Sequence, residues 1–173
     1  NGDVYEGLWA HDRRHGRGRC QYKSGAEYDG DWALGLKCGH GTGRVYNGFR
    51  FAYASKGEWK DDKPNGVGEA LLADESRFEG EWADGERHGE GECWHKDGSH
   101  YVGAYERDAR AGHGVWTGAR ADGEARYEGK WASGERHGVG AATYASGDVF
   151  EGMWVGDAKR LGKLAYANGD EYE

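Results

Sequence analysis

Two Cys-x-His pairs, Cys38-Gly39-His40 and Cys93-Trp94-His95, are the residues best suited by type to hold a metal ion. Alternate residues of a strand share a face, so each pair would set a thiolate beside an imidazole. A tetrahedral zinc site needs four converging ligands, and neither pair has a second pair nearby in sequence. A metal would have to bridge two chains, and a single chain is expected to carry no metal or cofactor. Nucleophilic catalysis has less support still, because it needs a nucleophile, an adjacent base and an orienting third group. Ser24, Ser55, Ser76, Ser99, Ser133 and Ser146 stand mostly among turn residues. Gly-x-Gly pairs occur without the helix that a phosphate-binding loop requires. These features argue against an enzyme. The basic cluster Arg13, Arg14, Arg17 and Arg19, beside His11 and His15, is the candidate patch for an anion or a phosphoinositide headgroup. The whole chain carries a net charge of −8, which disfavours nucleic acid and makes a lipid surface the lesser expectation.

These residues sit in a pattern that repeats. Phe78-Glu79-Gly80-Glu81-Trp82 opens a unit of 23 residues, and related openings start at Tyr5, Tyr28, Ser55, Tyr101, Tyr127 and Phe150, with an eighth at Tyr172. Eleven and thirteen residues after an opening come two glycines, as in Gly16/Gly18, Gly89/Gly91 and Gly138/Gly140. A fixed period of this size marks a repeat array. Two copies are longer, and their extra residues fall in 43–54 and 117–126. The recurring aromatics form a ladder: Tyr5/Trp9, Tyr28/Trp32, Trp59, Phe78/Trp82, Tyr101/Tyr105, Tyr127/Trp131 and Phe150/Trp154, with Trp116 added in the fifth copy. They are expected to hold the sheet together along an inner edge. The outer edge would offer a groove to a partner helix or strand.

Each unit reads as a hairpin. Phe78, Gly80 and Trp82 alternate onto one face, Asp84-Gly85 is a strong two-residue turn signal, and Gly89–Trp94 forms the return strand. Glycine weakens a strand interior, and 33 of the 173 residues are glycine. The steric explanation is that a ring on one strand lies over its neighbour only where the facing residue has no side chain. No helical period appears, and no apolar run of 18 residues that could form a membrane helix. The expectation is an all-β, elongated single-layer antiparallel meander of about fourteen strands, one hairpin per repeat, making one array over 1–173. Cys20 and Cys93 hold equivalent places in different copies, too far apart for a disulfide, and a reducing compartment suits the free thiols.

Tyr-Glu-Gly-x-Trp followed by His-Gly-x-Gly at this period resembles the MORN (membrane occupation and recognition nexus) repeat. Residues 127–131, 87–91 and 136–140 carry the likeness in register. The resemblance implies a non-enzymatic scaffold that binds proteins or oligomerises, often in cytoskeletal, ciliary or flagellar assemblies, and members that dimerise. The copy number and the insertion after the second copy are similar to small ciliary and sperm proteins built of MORN repeats alone. The alternatives are a phosphoinositide adaptor working through the basic first copy, or an accessory array of a larger enzyme. Three copies depart from the pattern. Ser55 replaces an anchor ring, Tyr105 and Trp116 exchange bulk in copy five, and copy seven has Leu161 and Lys163 at the glycine positions, as in an altered cap.

Overall fold

The computed structural model describes residues 2–47, 50–118 and 123–172. Every regular element among them is a strand: β1 (Val4–Ala10), β2 (Arg13–Gln21), β3 (Glu27–Ala33), β4 (Leu36–Asn47), β5 (Arg50–Lys60), β6 (Lys63–Leu72), β7 (Arg77–Ala83), β8 (Glu86–Trp94), β9 (His100–Glu106), β10 (Ala109–Thr117), β11 (Glu124–Ala132), β12 (Glu135–Tyr144), β13 (Val149–Val155), β14 (Ala158–Ala165) and β15 (Glu171–Tyr172). They form one open antiparallel sheet whose strand order is the sequence order. The count is fifteen rather than about fourteen because β15 already belongs to the eighth copy. Contacts gather into two compact units, Asn1–Glu86 and Arg87–Glu173.

Two turn types alternate. Within a copy the hairpin loop has two residues, both at positive φ: His11-Asp12 (49° and 57°), Asp61-Asp62 (49° and 68°) and Asp84-Gly85 (52° and 90°) are examples. This geometry matches strand twist and selects Asp and Gly. Between copies the chain turns through residues such as Lys23-Ser24-Gly25, closed by a Gly25 amide donating to the Tyr22 carbonyl at 2.8 Å.

The two glycines of each copy have different tasks, which refines the steric explanation. The second faces the anchor glycine across the hairpin, as in Gly18↔Gly7, Gly41↔Gly30 and Gly140↔Gly129. A Cβ on Gly18 would stand 2.2 Å from the Tyr5 hydroxyl, and one on Gly140 would stand 2.3 Å from that of Tyr127. The first glycine lies in a bulge and takes the left-handed region, φ +60° at Gly16 and +62° at Gly138, a conformation glycine enters without steric cost. After the Gly7/Gly18 pair the register jumps to Leu8↔His15.

The same bulge corrects the reading of copy seven. Gly162 pairs with Gly152, and the Phe150 ring lies 2.7 Å from a Cβ placed on either. Gly162 therefore holds the ordinary ring slot. The register resumes at Trp154↔Lys159, so this copy has one bulge residue fewer, which is why its glycine comes one position early. The first insertion lengthens the β4–β5 hairpin out to the pair Asn47↔Arg50. The rest of both insertions, 48–49 and 119–122, lies outside the described residues.

Candidate interaction surface

The anchor ring is the centre of each copy. It lies across the facing glycines, and its hydroxyl donates to the carbonyl three residues on: Tyr5 to Leu8 (3.0 Å), Tyr101 to Ala104 (3.0 Å) and Tyr127 to Lys130 (3.0 Å). A tryptophan edge meets it from its own strand, as between Tyr28 and Trp32 at 5.1 Å and Tyr127 and Trp131 at 5.1 Å. Another meets it from the next copy, as between Tyr5 and Trp32 at 5.5 Å and Tyr127 and Trp154 at 5.3 Å. Edge-to-face pairs of this kind add to plain burial. The indole N–H of each next-copy tryptophan then donates back to the carbonyl of the ring-slot glycine: Trp32 to Gly18 (2.9 Å), Trp131 to Gly114 (3.2 Å) and Trp154 to Gly140 (3.2 Å).

The ladder is consequently core. Tyr28, Trp32, Trp59, Phe78, Trp82, Tyr101, Tyr105, Trp116, Tyr127, Trp131, Phe150 and Trp154 are at most 7% exposed. Tyr5 is half-buried, and Trp9 is 61% exposed. Of the fourteen rings read as a groove, the first copy's pair therefore offers the open surface. Trp116 and Tyr105 are both buried in copy five.

A second ladder escaped the sequence reading. Nine residues after each anchor stands a cation: Arg14, Lys37, Arg87, Arg110, Arg136 and Lys159, with Pro64 in copy three. The guanidinium of Arg14 lies 4.1 Å from the Trp32 ring centre, that of Arg110 4.2 Å from Trp131 and that of Arg136 4.3 Å from Trp154. Such contacts are cation–π interactions. The constant offset was visible in the sequence. Recognising its role required knowing that the position lies under the next copy's tryptophan. The same residues pin copy to copy through the backbone: the Arg14 carbonyl accepts from Gly35 N–H (3.0 Å), Arg87 from Asp108 (3.0 Å) and Arg136 from Asp157 (3.2 Å). In copy six Arg136 also forms a buried pair with Glu124, itself fully buried, and reaches Asp157 at 2.8 Å.

The basic first copy is divided between these roles. Arg14 stacks on Trp32 and donates to the Gly35 carbonyl at 3.2 Å. Arg17 lies 3.5 Å from Asp31 and 3.9 Å from Asp29, and Arg19 lies 3.4 Å from Glu27. Arg13 is exposed on β2. The Cys-x-His pairs are separated by local geometry. The bulge at Gly39 (φ +55°) interrupts alternation between Cys38 and His40. His95 lies in a turn, its amide bonded to the Ser99 carbonyl at 2.8 Å. Cys20 and Cys93 are buried and not joined in a disulfide. Burial pushes the Cys38 thiol up, helped by Asp31 and Asp61. No cluster of three or more metal-ligating side chains occurs among the described residues.

The opposite face has no second layer among the described residues. Its charged side chains are interrupted by exposed apolar ones: Val67 (62%), Val139 (64%) and Met153 (42%), the last two directly opposite each other in the β12–β13 register. In the first unit a shallow hollow of about 340 Å³ is lined by Thr42, Arg44, Lys56, Glu69, Leu71 and Arg77, with Ser55 and Ala70.

Hairpins that lay a ring over facing glycines, and receive a tryptophan edge from the next copy, define a β repeat array. The chain belongs to the MORN repeat family, which matches residues 5–27, 28–42, 56–77, 78–100, 101–120, 127–149 and 150–171. The matched stretches omit 43–55, which includes Ser55, and 121–126. The family is a non-enzymatic repeat module for protein and membrane interaction. MORN repeat-containing protein 3 of Xenopus laevis is 38% identical over 71 residues, which amount to 39% of this chain and 30% of that protein.

Proposed function

We propose that this chain is a structural scaffold that binds other proteins, or further copies of itself, within a cytoskeletal, ciliary or flagellar assembly inside the cell. The supporting observation is the uncovered sheet face. A one-layer sheet satisfies its ring face internally and leaves the other face open, with apolar residues such as Val139 and Met153 set among charges. Exposed apolar residues ringed by polar ones are the usual composition of a protein interface. Crosslinking with mass spectrometry on the native assembly tests the proposal. Crosslinks from outward lysines Lys56, Lys130 and Lys163 to other polypeptides are expected. If no polypeptide is captured, and phosphoinositide vesicles bind the chain until the outward Arg13, Arg17 and Arg19 are changed to Glu, the lipid-adaptor alternative replaces the scaffold.

A further inference from the structure

The face turned away from the rings is written by four positions of each copy, one, three, twelve and fourteen residues after the anchor. Copy four has glutamate at all of them, Glu79, Glu81, Glu90 and Glu92, and every copy but the fifth has at least one carboxylate there. Copy five has Val102, Ala104, His113 and Val115. Strand register sets this apolar strip against an acidic border. Glu92, Val102, Val115 and Glu128 stand opposite one another in turn across β8, β9, β10 and β11. In the next row Glu90 opposes Ala104. On the β11 side Lys130 follows Glu128 and faces His113, so the acidic border is continuous on the β8 side alone. Val102 is 43% exposed, and Ala104 and Val115 are half-buried. At the end of the strip Trp94 and His100 oppose each other and stack, with ring centres 5.2 Å apart and 17° between their planes. His100 Nε2 lies 2.7 Å from Glu92, and Arg126 lies 2.5 Å from Glu128. Contacts of this partly exposed kind are worth little to the fold and can be exchanged for a partner's cations.

We infer that this strip seats an amphipathic helix of a partner protein, with its aliphatic stripe on Val102, Ala104 and Val115 and one border of lysines or arginines over Glu90 and Glu92. The inference rests on the reading of the chain as a protein-binding array and names the partner for one part of the open face. Charge complementarity sets the sign of the border. Backbone chemistry selects the helix. β9 and β10 are hydrogen-bonded to neighbours on both sides, so this face has no main-chain donors or acceptors for an extended peptide, and strand addition is closed to it. A helix satisfies its own backbone and needs only a stripe of side-chain contact. The dimensions agree. Glu92 and Glu128 are three strand spacings apart, about 14 Å, and a helix with its side chains is about 10–12 Å across. An anionic surface would meet Glu90 and Glu92 as like charges.

A helical peptide of about five turns, with leucines along one stripe and lysines along one border, is titrated into the full ¹⁵N-labelled chain. Its counterpart with glutamates in place of the lysines is the control. Saturable shifts of the Val102, Ala104 and Val115 amides and of the Trp94 indole N–H are expected with the lysine peptide alone. Val102→Lys with Val115→Thr gives copy five the residues that copies three and two hold at the same positions, Lys56 and Thr42. This double variant is expected to melt as the wild type does and to bind the lysine peptide about tenfold more weakly. Glu90→Gln with Glu92→Gln reads the border separately: affinity is expected to fall severalfold and to lose much of its salt dependence. Equal binding of the two peptides, shifts confined to other strands, or undiminished affinity in either double variant would overturn the inference. So would self-association of the wild type that Val102→Lys with Val115→Thr abolishes, which would make a second copy the occupant. In the native assembly, protein neighbours crosslinked through Lys56 or Lys163, with none captured by a benzoylphenylalanine placed at Ala104, would remove this site and leave the scaffold reading standing.

Discussion

At the residue scale the informative positions are the glycines, because their cost on substitution depends on what lies over them. Gly41→Ala drives a methyl group into the Tyr28 ring and is expected to cost about 3 kcal/mol in urea unfolding, the upper part of the overpacking range. Gly68→Ala sets its methyl group 2.9 Å from the Lys56 carbonyl oxygen, a backbone contact that cannot move aside cheaply, and is expected to cost about 2–3 kcal/mol. Buried tyrosines also set an alkaline limit. Burial pushes the hydroxyls of Tyr22 and Tyr127 up to about 12, and those of Tyr28, Tyr101 and Tyr105 higher. Below the ordinary tyrosine value near 10 both folded and unfolded chains hold these protons, so pH has no effect through them. Above it the unfolded chain ionises first, and stability falls from pH 10 until the folded groups titrate. Urea midpoints at pH 9 and pH 11 measure the fall. Tyr127→Phe is expected to make it shallower, while losing about 1 kcal/mol at pH 9 with the hydrogen bond to Lys130.

At the scale of the element, a hairpin is joined to the next by a cation and a turn. Arg110→Ala removes a guanidinium 4.2 Å from the Trp131 ring and a hydrogen bond of 2.9 Å to the Gly134 carbonyl. A loss of about 2 kcal/mol is expected, near the value for a desolvated cation–π contact. Arg136→Ala is expected to cost more, about 3–5 kcal/mol, because it leaves Glu124 buried without its arginine. Comparing the two variants by denaturant unfolding checks this order. The reverse order would mean that Glu124 is satisfied without Arg136. Insertions fall at the far ends of the strands, away from the turns that carry these links, which explains how two copies lengthen while the stacking persists.

At the scale of the whole molecule, stability in a repeat array is a sum of local and nearest-neighbour terms. Tyr28 and Trp59 touch at 5.0 Å across a copy boundary. Substituting both with Ala is expected to be non-additive by about 1 kcal/mol, as for rings in contact. Trp32 and Trp154 lie on β3 and β13, ten strands apart in the sheet order. Their Ala substitutions are expected to add within about 0.5 kcal/mol. Calorimetric or denaturant double-mutant cycles measure both. Coupling between the distant pair would show that the sheet unfolds as one cooperative body.

The sequence by itself determined the period, the all-strand class, the Asp84-Gly85 type of turn and the alternation that puts Phe78, Gly80 and Trp82 on one face, since these depend only on local geometry and spacing. It could also have yielded the cation nine residues after the anchor in six of the seven copies, but a spacing does not say what a side chain lies on. Tertiary structure decided that Arg14, Arg110 and Arg136 cover the next copy's tryptophan. It also divided the glycine pair between a ring slot and a bulge, because only the strand register shows that Gly18 opposes Gly7 while Gly16 does not. It placed Gly162 in the normal slot of copy seven for the same reason. The Cys-x-His pairs shared a face only while the strands were assumed regular. From the sequence the ring stripe is core along an inner edge and groove along an outer one, but how much of it stays open was beyond the sequence, since an aromatic stripe is written alike in both cases. Burial settled it: the following copy's tryptophan meets the Tyr5, Tyr28, Tyr101 and Tyr127 rings edge-on, and twelve of the fourteen rings are at most 7% exposed.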